Sequence, residues 1–164
     1  MDYIIQFCFS FLATASLCVI FNAPLRAIPS CGLVGAVGWI IHYMIIQFEM
    51  SVVAASFMGA FVVAIFAQIF ARILKMPMIV FIVSGIIPLV PGGLAYKTMR
   101  SLVIQDFSLG METGIHVLLI AGAIAMGIVF AEVFVQLFMS FVNSGRTSMQ
   151  SFERIKRQQN KREL

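Results

Sequence analysis

The sequence predicts an all-α integral membrane protein, a five-span helical bundle with a broken fourth helix. Of the 164 residues, 61% are hydrophobic and 11% charged, with a mean hydropathy of +1.02. That leaves too few polar side chains to cover a water-exposed globule. The charged residues fall almost entirely between long apolar runs, so they mark boundaries rather than a mixed surface. The fourth apolar run ends in IIPLVPGGLAYK, residues 86–97, where two prolines and two glycines interrupt the helix that the neighbouring residues call for.

The first span covers residues 3–22, long enough at ~1.5 Å per residue to cross a ~30 Å hydrocarbon slab. Asp2 precedes it without Lys or Arg, so the basic region of a cleaved secretory signal is missing and an uncleaved span is expected. It should stop at Asn22-Ala23-Pro24-Leu25-Arg26, because Pro24 and Pro29 cannot continue a helix and Arg26 marks an interface. The second span, 30–48, contains Gly32, Gly35 and Gly38, then Trp39, His42 and Tyr43 near its far end, where His42 is expected at the interface. Glu49 closes it. The third span, 51–71, places the small residues Ser56, Ala60 and Ala64 on one face and ends at Arg72 and Lys75.

The fourth span, 76–95, contains the breaker. Residues 96–112 mix polar and apolar side chains, including Lys97, Arg100, Asp106 and Glu112, and predict a short interfacial helix and a turn. The fifth span, 113–142, would measure ~45 Å if wholly helical, so it must tilt or protrude. Its small residues Ala123, Gly127 and Ala131 recur every fourth position, which suits close helix packing in lipid. Residues 143–164 form a basic tail. Its charge could attract anionic lipid, and Met149, Phe152 and Ile155 recur every three residues.

With alternating spans, Arg26, Arg72, Lys75 and the tail residues Arg146, Arg154, Lys156, Arg157, Lys161 and Arg162 share a side, against Lys97 and Arg100 on the other. That bias makes the tail cytoplasmic and places the N-terminus outside. A re-entrant hairpin at the breaker would instead give an even number of crossings.

Irregular backbone in lipid costs several kcal/mol for each unsatisfied polar group, so it is tolerated only against protein or in a wet cavity. Pro88 lies roughly 17 Å up the helix from Pro77, somewhat past the middle of the slab. If a second helical segment starts at Pro91, the amides of Gly92, Gly93 and Leu94 point into the break. They would form a site for a carboxylate or phosphate, with Lys97 one turn further. The bland alternative is a proline kink that only shapes the bundle.

Glu132 stands among apolar residues and should be protonated, paired or facing a cavity, with Gln136 one turn away. It is a candidate proton or ion-coupling group, or else a structural acid near the end of an overlong helix. His116 and Glu112 are one turn apart near the outer boundary and form a second candidate relay, or an ordinary solvated pair.

Other chemistries find little support. The three cysteines, Cys8, Cys18 and Cys31, show no metal-ligand spacing and read as small hydrophobes. There is no HExxH motif, no pair of buried acids and no ATP-binding GxxxxGK[ST] loop, so neither an enzyme nor a cofactor or metal site is expected. Nucleic acid is not an expected partner.

Two stretches carry a family resemblance. Pro88-Leu-Val-Pro91-Gly92 with Tyr96 beyond it, together with Asn22, Pro24 and Arg26 before the Gly35 and Gly38 helix, resembles the threonine/serine exporter (ThrE) family. In length and layout the chain is similar to the small, YjjB-like membrane subunit of that family, up to about residue 142. The resemblance implies a secondary exporter of the bacterial cell (inner) membrane, completed by a larger exporter-family membrane subunit. Its substrates would be threonine and serine, or the dicarboxylate succinate for the split form. Each carries a carboxylate that suits the amides at Gly92 and Gly93. The resulting expectation is a half-transporter, working with the larger partner or as a homo-oligomer. The alternative is a structural membrane subunit without its own substrate site.

Overall fold

The computed structural model describes residues 2–160, with side chains for residues 3–140. It contains α1 (Asp2–Ile20), α2 (Ile28–Gln47), α3 (Val52–Leu74), α4 (Met78–Ile86), a short 3-10 turn (Ile87–Leu89), α5 (Gly92–Val103) and α6 (Phe107–Asn160). Among the described residues there is no strand. Helices α1, α2, α3 and α6 are each long and apolar enough to cross a membrane. Met78–Leu89 and Gly92–Val103 pass the same test only as a pair, bent by 57°. The protein is a multi-pass, all-helical membrane protein with a broken helix.

Local chemistry explains the boundaries. Pro29 does not block α2 but sits in its first turn, where a missing N–H costs nothing. Ser51 caps α3 by accepting from the Ala54 amide at 3.3 Å. Asp106 does the same for α6, its carboxylate accepting from the Leu109 amide at 3.2 Å. The joints turn on Asn22, Glu49, Lys75 and Gln105, all left-handed at φ between 53° and 64°. Of these Asn tolerates that region best. The expected interfacial segment resolves into α5, which begins inside the breaker at Gly92, and the turn before α6.

The chain divides into two units, Met1–Ala131 and Glu132–Leu164. In the second, α6 continues to Asn160, with Glu132 and Val135 half-buried and the other described side chains exposed. The side chains of the expected basic tail, 143–164, including Met149, Phe152 and Ile155, lie outside the described residues.

The first unit is held together where small residues let helices approach. A methyl group on Gly35 would strike Thr14 of α1, and one on Gly38 would strike Val63 of α3. Ser10 donates across the α1–α2 contact to the Gly35 carbonyl at 3.3 Å. The two small-residue stripes seen in the sequence meet each other, since a methyl on Gly127 of α6 would lie 2.6 Å from the Phe57 carbonyl and 3.2 Å from Ala60 of α3. Thr98 of α5 donates to Thr113 of α6 at 3.0 Å. At one end of α1 and α2, Tyr3 donates to Gln47 at 2.8 Å and packs edge-on against Tyr43, the pairing expected at a membrane–water interface. Large apolar side chains such as Ile4, Phe9, Leu12 and Phe134 point outward, as a lipid-facing surface requires.

Candidate functional site: the broken helix and its seat

At ~1.5 Å per residue, Met78–Leu89 reaches about 18 Å, roughly half-way across a ~30 Å slab. A single span that enters at Met78 would carry the break inside the membrane. Pro88 and Pro91 remove two donors, and the chain compensates locally. The Val90 amide donates to the Ile87 carbonyl at 3.2 Å, and the Gly92 amide donates to the Val90 carbonyl at 2.8 Å. The second bond closes an inverse γ-turn around Pro91, whose φ of −77° and ψ of 56° fit that shape. Helix α5 then starts with the Ala95 amide donating to the Pro91 carbonyl at 3.0 Å. Of the three amides expected to face the break, Gly92 is thus engaged, while Gly93 and Leu94 hold first-turn positions that have no partner within the helix.

The mouth of this turn is open. A methyl group on Gly92 or Gly93 would meet nothing within 4 Å. Tyr96 is 70% exposed, Lys97 is exposed, and Pro88 and Pro91 are half-buried. The breaker residues named from sequence therefore cluster on one face at the start of α5.

The inner side of the break is closed. Leu89 is 4% exposed and seats on a floor made by two glycines, Gly38 of α2 and Gly59 of α3. A methyl on Gly59 would come 2.6 Å from the Leu89 side chain, 3.2 Å from the Gly38 carbonyl and 3.4 Å from the His42 Cβ. One turn before the break, a methyl on Gly85 would strike Val34 and Val63. Beside this floor lies His42, which is 7% exposed and so faces protein rather than the surroundings. It shares a helical face with Gly38, and that face is turned into the α2–α3 seam. The imidazole stacks on Trp39 with ring centroids 5.5 Å apart and meets the Ala55 backbone, but its Nδ1 has no hydrogen-bond partner. The Ser56 hydroxyl, fully buried on α3, is likewise unpartnered. Buried polar atoms without partners are uncommon in folded proteins.

Asn22, Pro24 and Arg26 form the α1–α2 turn and are exposed. The Asn22 and Ala23 amides donate to Val19 and Cys18 carbonyls at 2.9 and 3.1 Å, while Pro24 accepts from the Ala27 amide at 2.7 Å. Beneath them a 270 Å³ concavity is lined by Cys18, Asn22, Pro24, Ile79 and Val83, which brings this turn and the start of α4 to one end of the bundle. Cys18 and Cys31 are buried free thiols with sulfurs 2.9 Å apart. A larger groove of 850 Å³ between α3 and α6 is lined by Met50, Phe57, Leu118, Met126 and Phe130, too apolar a wall for a carboxylate. His116 and Glu112 are exposed on α6, on either side of Thr113, which meets Thr98 of α5. Glu132 belongs to the second unit. Among the described residues no group of His, Cys, Asp or Glu could hold a metal ion.

Residues 6–134 match the family described as Threonine/Serine exporter, ThrE, which takes in every element from α1 to the middle of α6. The chain belongs to the threonine/serine exporter family. A relative from Haemophilus influenzae, described as an uncharacterized protein, is 29% identical over 129 residues, covering 73% of this chain and 43% of the relative. The chain thus spans less than half the length of that curated relative. No solved structure matches. The family match contains both the breaker and the Asn22–Arg26 turn. It also contains the Gly38–Gly59–His42 seat, which was not singled out from sequence. The signal for the seat was available, since Gly35, Gly38 and His42 follow one another at helical spacing on α2.

Proposed function

We propose that the chain is one subunit of a secondary transporter that exports a small carboxylate-bearing metabolite, threonine, serine or succinate, across a bacterial cell membrane. A larger exporter-family membrane subunit would complete the path. The observation that carries this reading is the break itself. Supporting it are the two first-turn amides at Gly93 and Leu94, at the positive end of α5, with Lys97 one turn on and open space beside Gly92 and Gly93. In this reading Pro88 and Pro91 shape the mouth, Gly92 and Gly93 keep it clear of side chains, and Tyr96 and Lys97 flank the bound carboxylate. Because that face is open, a second subunit is needed to wall it, and the greater length of the curated relative supports the same requirement. Glu132 and His116 are the candidates for proton or ion coupling. The N-terminus lies outside and the basic end in the cytoplasm, in line with the basic residues of the α1–α2 and α3–α4 joints.

One second reading has an observation in its favour. Exposed Gly92, Gly93 and Tyr96 would also suit a docking face, making the chain a structural subunit whose partner holds the substrate. Reconstitution with and without the larger subunit, followed by flux of labelled threonine, serine and succinate, separates the two. Transport that needs this chain and is lost on Gly92→Val while the larger subunit still co-purifies supports a substrate site here; loss of both supports the docking face. Transport that survives that variant leaves a structural role.

A further inference from the structure

We propose that His42 is a proton-binding site within the bundle, and that charging it unseats Leu89 from the Gly38–Gly59 floor, so that a proton is linked to movement of the broken span. The link to transport rests on the function proposed above; the site itself does not.

The argument starts from burial. His42 is 7% exposed and belongs to an apolar span, five residues from the end of α2, with Nδ1 unpartnered. Ionisable groups in such places are costly and mark ion or proton pathways. An imidazole with its Nδ1 unpartnered keeps that nitrogen open for a proton.

The surroundings decide what charging does. On α2 the other ionisable groups are Cys31, held against Cys18, and Tyr43, which accepts a hydrogen bond from Gln47. On α1 they are Asp2, Tyr3, Cys8 and Cys18, with Tyr3 also engaged to Gln47. Residues 52–71 of α3 and residues 78–94 through the break contain none. Tyr96, Lys97, Glu112 and His116 are exposed. Glu49, on the α2–α3 joint, is exposed. Among the described side chains no carboxylate is bonded to the imidazole, so an imidazolium there would be a buried cation without a counter-ion.

The least costly relief is to admit water or an anion, and the wall that can yield is Leu89. It sits on a short 3-10 turn rather than in an α-helix, and it touches the same Gly59 that lies against the His42 Cβ. A carboxylate reaching the seam would supply the missing counter-charge.

The chain offers its own reporter. It has one tryptophan and two histidines, and Trp39 stacks on His42 at an interplanar angle of 28°. An imidazolium quenches a neighbouring indole more strongly than a neutral imidazole does. In lipid nanodiscs, the wild type and His116→Gln should both lose Trp39 emission on acidification from about pH 8 to about pH 4. His42→Gln should show a flat profile. An unchanged transition in His42→Gln, or none in the wild type and His116→Gln, overturns the proton site.

The second readout is deuterium uptake of the peptide 86–93, compared between wild type and His42→Gln at each pH so that intrinsic exchange chemistry cancels. Faster uptake in the wild type below the emission transition and equal uptake above it support the unseating. Equal uptake at every pH overturns it. Both measurements use the chain alone and no substrate, so their failure is distinct from a failure of the transport assay.

Discussion

Replacing Gly59 by alanine tests whether the break is held down by a steric fit. The added methyl would sit 2.6 Å from the Leu89 Cδ2 and 3.2 Å from the Gly38 carbonyl, and the carbonyl belongs to a helix that cannot yield alone. Carbon atoms rest at about 3.5–4.0 Å, so Leu89 must withdraw by roughly 1 Å. Overpacking of this kind costs about 1–3 kcal/mol. Alanine also favours a helix over glycine by up to ~1 kcal/mol, which would mask part of the effect. Gly122→Ala is the reference, because a methyl there meets nothing within 4 Å and receives the same helical gain. Gly59→Ala should therefore be less stable than Gly122→Ala by about 1–3 kcal/mol, on the order of 5- to 150-fold in the unfolding equilibrium. Reversible unfolding in mixed micelles measures this difference. Equal stability of the two variants would refute the close seating of Leu89 against α2 and α3.

Gly92→Val should abolish export while the protein still inserts and folds, because its side chain enters open space at the mouth of the break; normal flux would remove the carboxylate site. Glu132→Gln should weaken export driven by a pH gradient while shifting stability by no more than about 0.5 kcal/mol, and an unchanged pH dependence would leave Glu132 structural. Cysteines introduced at Asp2 and Asp106 should both react with an impermeant reagent from outside; protection of position 106 would mean that the break is a hairpin returning to the side it entered. Glu49→Gly should raise stability by up to about 1 kcal/mol by relieving a left-handed backbone at φ 57°, and thermal unfolding that shows a loss would contradict that account.

Membrane spans were legible because each is a long apolar run, and lipid enforces a helix on any such run. The position of the break was legible for the same reason, since Pro88, Pro91, Gly92 and Gly93 stand where a straight helix was otherwise required. Partners were harder to read. Helix α2 is apolar on nearly every side, so the helical spacing of Gly35, Gly38 and His42 was its one hint of a packed face and did not name the partner, and His42 was placed at the interface by its distance from the helix end. Only the packing of Gly38 against Val63, and of Gly59 against Leu89, reveals that this face is closed. Pro29 misled in the opposite sense: the residue read as a stop is a start, because the first turn of a helix has no use for its amide. Satisfaction of the Gly92 amide by Val90 was beyond sequence reasoning, since it depends on the dihedral angles adopted at Pro91.

The tight joints at Asn22, Glu49, Lys75 and Gln105 bear on how such a chain can insert. A joint such as 75–77 leaves almost no chain between the helices it connects, so the two must lie side by side as soon as both form. Each pair of neighbouring rods joined this way can enter the bilayer as a ready-made hairpin.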